Sequence, residues 1–176
     1  PTFTTTPNVS TCKTEGKCLV FEYLGSTTDL NGRTTISFRV TNKCDQSPSY
    51  IAIGTYGFTR QAPANGSVYT GGLGTYTVTW TNGSGNPGFT SIKFEPTFGT
   101  FKNGASDVFN VVVSNFSSTT SIKVAGKVGS QSQEKFSFLL SRTTCVPTPT
   151  PTNTPTKTPT KTPTATRTPT KTPTAT

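Results

Sequence analysis

Thr75-Tyr76-Thr77-Val78-Thr79-Trp80-Thr81 alternates without a break, with three large apolar side chains on one side and four threonines on the other. Successive side chains of an extended strand point to opposite faces, so this stretch reads as a β-strand with one face toward a core and one toward water. The same period of two recurs on both sides of it. Leu19, Phe21 and Tyr23 share one face of a strand, and Ile36, Phe38 and Val40 share one face of another. Tyr50-Ile51-Ala52-Ile53 and residues 67–70, 91–95, 107–114, 121–128 and 134–141 add further strands, each bounded by Gly, Pro, Asn or Ser. Residues 54–66, rich in Gly, Pro and Asn, read as a loop. No stretch shows a sustained helical period flanked by caps. Eight or nine short strands with turn signals about every ten residues predict an all-β protein, an antiparallel β-sandwich of immunoglobulin-like or jelly-roll-like form.

The chain divides by composition into an opening arm (1–11), a globular part (12–146) and a tail (147–176). The arm resembles the tail but carries Phe3 and Val9. It fits an edge strand, an arm that pairs with a neighbouring subunit, or a frayed end. The globular part is long enough for one domain with a real core. All four cysteines, Cys12, Cys18, Cys44 and Cys145, lie in it. An even count without Cys-x-x-Cys spacing and without any histidine points to disulfides in an oxidising, extracellular setting rather than to zinc. Four cysteines allow three pairings. A hairpin turning near Asn31-Gly32 sets Cys18 opposite Cys44, which leaves Cys12 and Cys145 to fasten the arm to the end of the last strand.

The net charge of +9 is less telling than its distribution. Of sixteen basic residues, Lys157, Lys161, Arg167 and Lys171 stand in the tail with no acid near them, so twelve face seven acids in the rest. Basic residues are scattered along strands rather than clustered with stacking aromatics, so nucleic acid is not an expected partner. The spaced cations of the tail suit an acidic polysaccharide or an anionic surface. No apolar run is long enough to cross a bilayer, so no transmembrane segment is expected. No basic-then-apolar signal segment opens the chain, so its first residue is expected at a processed end.

An enzyme is not expected. Without histidine the common triads and histidine-metal centres have no base or ligand. The seven acids, Glu15, Glu22, Asp29, Asp45, Glu95, Asp107 and Glu134, are singly scattered and read as solvated surface charge. No cofactor and no calcium loop is implied. Sugar binding is a stronger alternative, because Tyr50, Tyr56, Phe58 and Tyr69 sit in or beside Gly-rich loops and are candidates for a glycan platform. Trp80 shares a face with Tyr76 and Val78, which assigns it to the core.

In the tail every even-numbered residue is threonine: Thr148, Thr150, Thr152, Thr154, Thr156, Thr158, Thr160, Thr162, Thr164, Thr166, Thr168, Thr170, Thr172, Thr174 and Thr176. Many of the intervening places hold proline, and none holds a large apolar residue. Such a segment has nothing to bury, and its prolines favour an extended polyproline-II-like rod. A step of two in a helix of three residues per turn sends successive hydroxyls to all three faces, so O-linked sugars there would sheathe the rod. Asn8, Asn65, Asn82 and Asn115 stand in the Asn-x-Ser form of an N-glycosylation acceptor. At Asn65 and Asn82 the Asn-Gly pair also has a turn to make.

Thr154-Pro155-Thr156-Lys157, Thr158-Pro159-Thr160-Lys161, Thr162-Pro163-Thr164-Ala165 and Thr168-Pro169-Thr170-Lys171 resemble the Thr-Pro linkers of secreted and cell-surface bacterial proteins. The inserted Thr166-Arg167 breaks the four-residue register. The resemblance implies a β-sandwich joined to an anchor, a catalytic domain or another module through an O-glycosylated connector. Together these features lead to an expectation of an extracellular structural protein with covalent glycans. It is expected to assemble with identical subunits through its extended ends into a cell-surface filament or sheath. The alternatives are a carbohydrate-binding module linked to a larger secreted enzyme, with polysaccharide as its partner, and a surface adhesin.

Overall fold

A computed structural model describes residues 12–117 and 121–139. Eleven strands and no helix make up those residues: β1 (Lys13–Glu15), β2 (Leu19–Thr28), β3 (Arg33–Asn42), β4 (Pro48–Gly54), β5 (Thr59–Ala62), β6 (Val68–Thr70), β7 (Thr75–Asn82), β8 (Thr90–Pro96), β9 (Ser106–Ser114), β10 (Ser121–Val128) and β11 (Glu134–Leu139). They form two antiparallel sheets, ordered β1-β2-β3-β9-β5 and β11-β10-β4-β8-β7-β6, which pack into the expected sandwich. With β1, β6, β7 and β8 set aside, the neighbours β2-β3-β9-β5 over β11-β10-β4 stand in the seven-strand order of an immunoglobulin-like sandwich, while β8, next to β4 but later in the chain than β5, lies outside that order.

Alternation in the sequence becomes alternation in burial. Ile36, Phe38 and Val40 of β3, Tyr76 and Val78 of β7, and Phe109, Val111 and Val113 of β9 are fully buried between the sheets. Each such side chain contributes roughly 1.5–3 kcal/mol when removed from water. β4 breaks the pattern: Tyr50, Ile51, Ala52 and Ile53 are all buried, so both of its faces are covered. Beside β7 and β9 the core is aromatic. Tyr76 and Phe94 each lie 5.0 Å from Phe109, centroid to centroid, and Tyr69 lies 5.1 Å from Phe94. Tilted and edge-on rings of this kind add to the value of their buried area.

β1 and β5 were not legible as strands, and the segment 54–66 read as one loop contains β5. β5 is four residues long, with no large apolar side chain, and its one ladder partner is β9. A strand formed by long-range pairing leaves no periodic mark in its own sequence.

Each lateral edge of the sandwich is closed by one charged side chain. Arg60 of β5 reaches the other sheet, donating from Nη1 to the Thr81 carbonyl (2.9 Å) and from Nη2 to Asn82 Oδ1 (2.8 Å). On the opposite edge Glu134 of β11 accepts from the backbone N–H groups of Cys18 (2.7 Å) and Leu19 (2.9 Å).

The β2–β3 hairpin turns at residues 29–32, where the Asp29 carboxylate accepts from Asn31 N and Arg33 N. A bulge at Leu24 slips the register by one, so the Cys18 carbonyl accepts from Lys43 N. The expected disulfide nonetheless joins Cys18 to Cys44, with a Cα–Cα distance of 5.1 Å. Cys12 is buried and also disulfide-bonded. Cys145, the opening arm, Asn8 and the whole threonine series from Thr148 to Thr176 lie outside the described residues. Among the described residues no helix is long and apolar enough to cross a membrane.

Candidate functional site

β7 has a Gly-rich turn at each end, and the two serve different purposes. At its start, residues 71–74 wrap around Asp107. That carboxylate, 5% exposed, accepts from Gly72 N (2.8 Å), Leu73 N (3.1 Å), Tyr76 Oη (2.7 Å) and its neighbour Val108 N (2.8 Å). Gly71 has no room for a side chain, since a Cβ there would stand 2.3 Å from Asp107 Oδ2. Burial and the adjacent carboxylate push the Tyr76 phenol upward, and burial does the same to Tyr69. Asp107 is therefore a structural clamp rather than the solvated surface charge expected for it. Glu134, bonded to the β2 backbone, departs from that expectation in the same way. Three other carboxylates are in ion pairs, Glu22 with Arg39, Glu15 with Lys43 and Glu95 with Lys93, which tie neighbouring residues at the surface. The Lys43 ammonium lowers the Glu15 carboxyl below its usual range through its hydrogen bond and its charge. Among the described residues no group of three or more His, Cys, Asp or Glu converges as a metal site.

At the other end of β7 lies a cleft of about 360 Å³, the candidate site. One wall is the β4–β5 turn, with Gly54, Tyr56 and Phe58; another is the β7–β8 turn, with Asn82, Gly83, Phe89 and Thr90; the third is the start of β10, with Ser121, Ile122 and Lys123. The walls are fixed by backbone bonds. Thr55 N donates to the Thr90 carbonyl (2.9 Å), and Phe58 N donates to the Thr55 carbonyl (3.0 Å) around Gly57, whose φ of +82° favours glycine. Thr81 Oγ1 donates to the Phe89 carbonyl (2.9 Å), and Phe58 packs against Phe116 at 5.4 Å. Tyr56, 81% exposed, has its side chain in the open at the mouth.

Of the four platform candidates only Tyr56 and Phe58 come together; the expectation of a shared surface is corrected for the other two. Tyr50 is buried on β4 beneath the Lys93 ammonium (5.6 Å from the ring centroid), its hydroxyl bonded by the Gln133 amide, and burial pushes its phenol up to about 12. Tyr69 is half-buried, its ring packed against Phe94 and Phe109 of the aromatic core and its hydroxyl donating to the Val108 carbonyl at 2.9 Å. Both sit on strands whose neighbours cover them, Tyr50 fully and Tyr69 in part, which proximity to Gly-rich sequence does not reveal. Trp80 lies at the core's edge rather than deep within it, half-buried, with Arg60 4.8 Å over its ring and its Nε1 donating to the Pro63 carbonyl at 2.8 Å.

Asn65, Asn82 and Asn115 are exposed. Asn65 Oδ1 accepts from Trp80 N (2.7 Å), Asn82 Oδ1 accepts from Arg60, and Asn115 has a left-handed φ of +60°. Sequence reasoning missed Phe89 and Lys123 as cleft residues. The only signal for Phe89 was its place after the Asn82-to-Gly88 turn, and Lys123 looked like any outward lysine of an alternating strand.

No protein-family model matches the chain and no curated protein matches it, so the chemistry of the cleft rests on its own geometry.

Proposed function

We propose that this is a non-enzymatic, extracellular structural protein, a disulfide-stapled β-sandwich displayed on an O-glycosylated Thr/Pro rod and assembling with identical subunits into a surface filament or sheath. The observation that carries the reading is the unbroken placement of threonine at every even position from Thr148 to Thr176 in a segment with no large apolar side chain to fold around. The Cys18–Cys44 disulfide is compatible with an oxidising compartment. The use of Asp107, Glu134 and Arg60 as fold-holding groups accords with a module whose task is to persist. Intact-mass measurement of native material tests it, together with electron microscopy. A ladder of hexose increments above 18.6 kDa and fibres of one repeating subunit are expected. An unmodified mass and a solitary particle would overturn the reading.

A second reading, a carbohydrate-binding module on a glycosylated connector, is favoured by the cleft, where Tyr56, Phe58 and Phe89 stand beside several polar side chains. Retention of the protein on a polysaccharide column as a monomer would favour it over the first.

A further inference from the structure

We propose that the cleft holds an acidic sugar, one hexuronate residue of a linear polysaccharide, with its ring against Tyr56 and Phe89 and its carboxylate on the Lys123 ammonium. The inference rests on the carbohydrate-binding reading of the cleft and is independent of the tail.

The cleft's volume of about 360 Å³ lies toward the small end of ligand pockets, which run from roughly 300 to 1,000 Å³, and suits one or two rings of a chain. Its walls combine aromatic faces, on which the C–H face of a pyranose can rest, with the Asn82 amide and the Thr90 and Ser121 hydroxyls to meet ring hydroxyls. Lys123 is exposed, lines the cleft, and among the described residues has no carboxylate within ion-pair distance. An ammonium at the end of an aromatic-lined recess offers a charge-assisted bond to one carboxylate per ring.

The surroundings carry the same sign. Strand register puts Lys123, Lys127, Lys135 and Lys93 on the outer face of the six-stranded sheet, around Ala52 and Ala125. Among the described residues the one carboxylate on this face, Glu95, is held by Lys93 at 3.1 Å. Lys135 extends toward the β7–β8 turn, with its Nζ 3.3 Å from where a Cβ on Gly88 would stand. A polyanion leaving the cleft thus meets further ammonium groups. Among the described residues the surface acids make no cluster to match this face: Glu15 and Glu22 are ion-paired to Lys43 and Arg39, and Asp29 and Asp45 stand singly in the connections on either side of β3. Phosphate clusters call for several converging donors, whereas this recess presents one cation among rings.

The test is calorimetric titration of the full chain with trigalacturonate, with neutral maltotriose and cellotriose, and with a short single-stranded oligonucleotide. The acidic trisaccharide should bind at least ~10-fold more tightly than either neutral one, and the preference should shrink as salt is raised. Lys123→Gln should abolish that preference. Tyr56→Ala should weaken binding ~10-fold, while Lys102→Gln, in the β8–β9 connection, should change nothing. Equal binding of neutral and acidic sugars would overturn the acidic assignment and leave the carbohydrate reading standing. Binding of neither would overturn both. Tighter binding of the oligonucleotide, or trigalacturonate affinity unmoved by Lys123→Gln and Tyr56→Ala, would assign the interaction to the basic tail and overturn the site.

Discussion

Two Gly-rich turns flank the same strand: Gly71-Gly72-Leu73-Gly74 before β7, and Asn82-Gly83-Ser84-Gly85-Asn86-Pro87-Gly88 after it. In sequence they look alike. In the structure the first closes on the buried Asp107 carboxylate, while the second stands open as the wall of a cleft. Glycine announces that a backbone must bend or come close to something. Whether that something is part of the protein or a ligand depends on what the rest of the chain brings there.

The contrast is tested most severely at Asp107. Asp107→Ala removes the acceptor for the Tyr76 hydroxyl and two turn N–H groups inside the fold, and is expected to cost about 3–5 kcal/mol in chemical denaturation. A loss under about 1 kcal/mol would mean that the clamp contributes no more than an ordinary surface contact. The glycines come next. Gly71→Ala drives a methyl into the carboxylate and should cost about 2–3 kcal/mol. Gly85→Ala, in open space at φ +68°, should cost only about 1 kcal/mol, from backbone strain alone. Equal losses would erase the distinction between the turns.

Alkaline titration separates the regions without mutation. Tyr76, Tyr69 and Tyr50 have phenols raised in the folded state above the ordinary 10.0, so they stay neutral where the unfolded chain already ionises. Their contribution is complete below pH 10 and is lost as pH rises above it, for Tyr50 through about 12. Denaturation midpoints should therefore hold steady up to about pH 10 and fall beyond it, and Tyr76→Phe should soften the fall. The smallest effect is expected at the open end. Tyr56→Ala, which removes an exposed ring, should leave stability within about 0.5 kcal/mol of the parent when measured by thermal melting. A larger loss would show the mouth of the cleft to be part of the fold's support.

Much of the architecture was legible because it is written locally. A period of two in β2, β3 and β7 needs no knowledge of partners, and it marked the buried residues Phe21, Ile36, Phe38, Tyr76 and Val78 correctly. Hairpin arithmetic around Asn31-Gly32 reached the Cys18–Cys44 bridge even though a bulge shifts the register on the way. The site was less legible. Tyr56 and Phe58 were singled out, but Tyr50 and Tyr69 were grouped with them on sequence neighbourhood, and Phe89 and Lys123 were not connected to them at all.

The sequence by itself determined an all-β chain with an even set of cysteines and a tail that has nothing to bury, because strand period, cysteine count and apolar content are each properties of short stretches. Only the tertiary structure decided which carboxylates are spent on the fold and which aromatics face a cleft. The Asp107 clamp joins groups 31 to 35 residues apart, and the cleft gathers side chains from three separate segments. Such meetings are set by how the two sheets order their strands, and no local pattern encodes them.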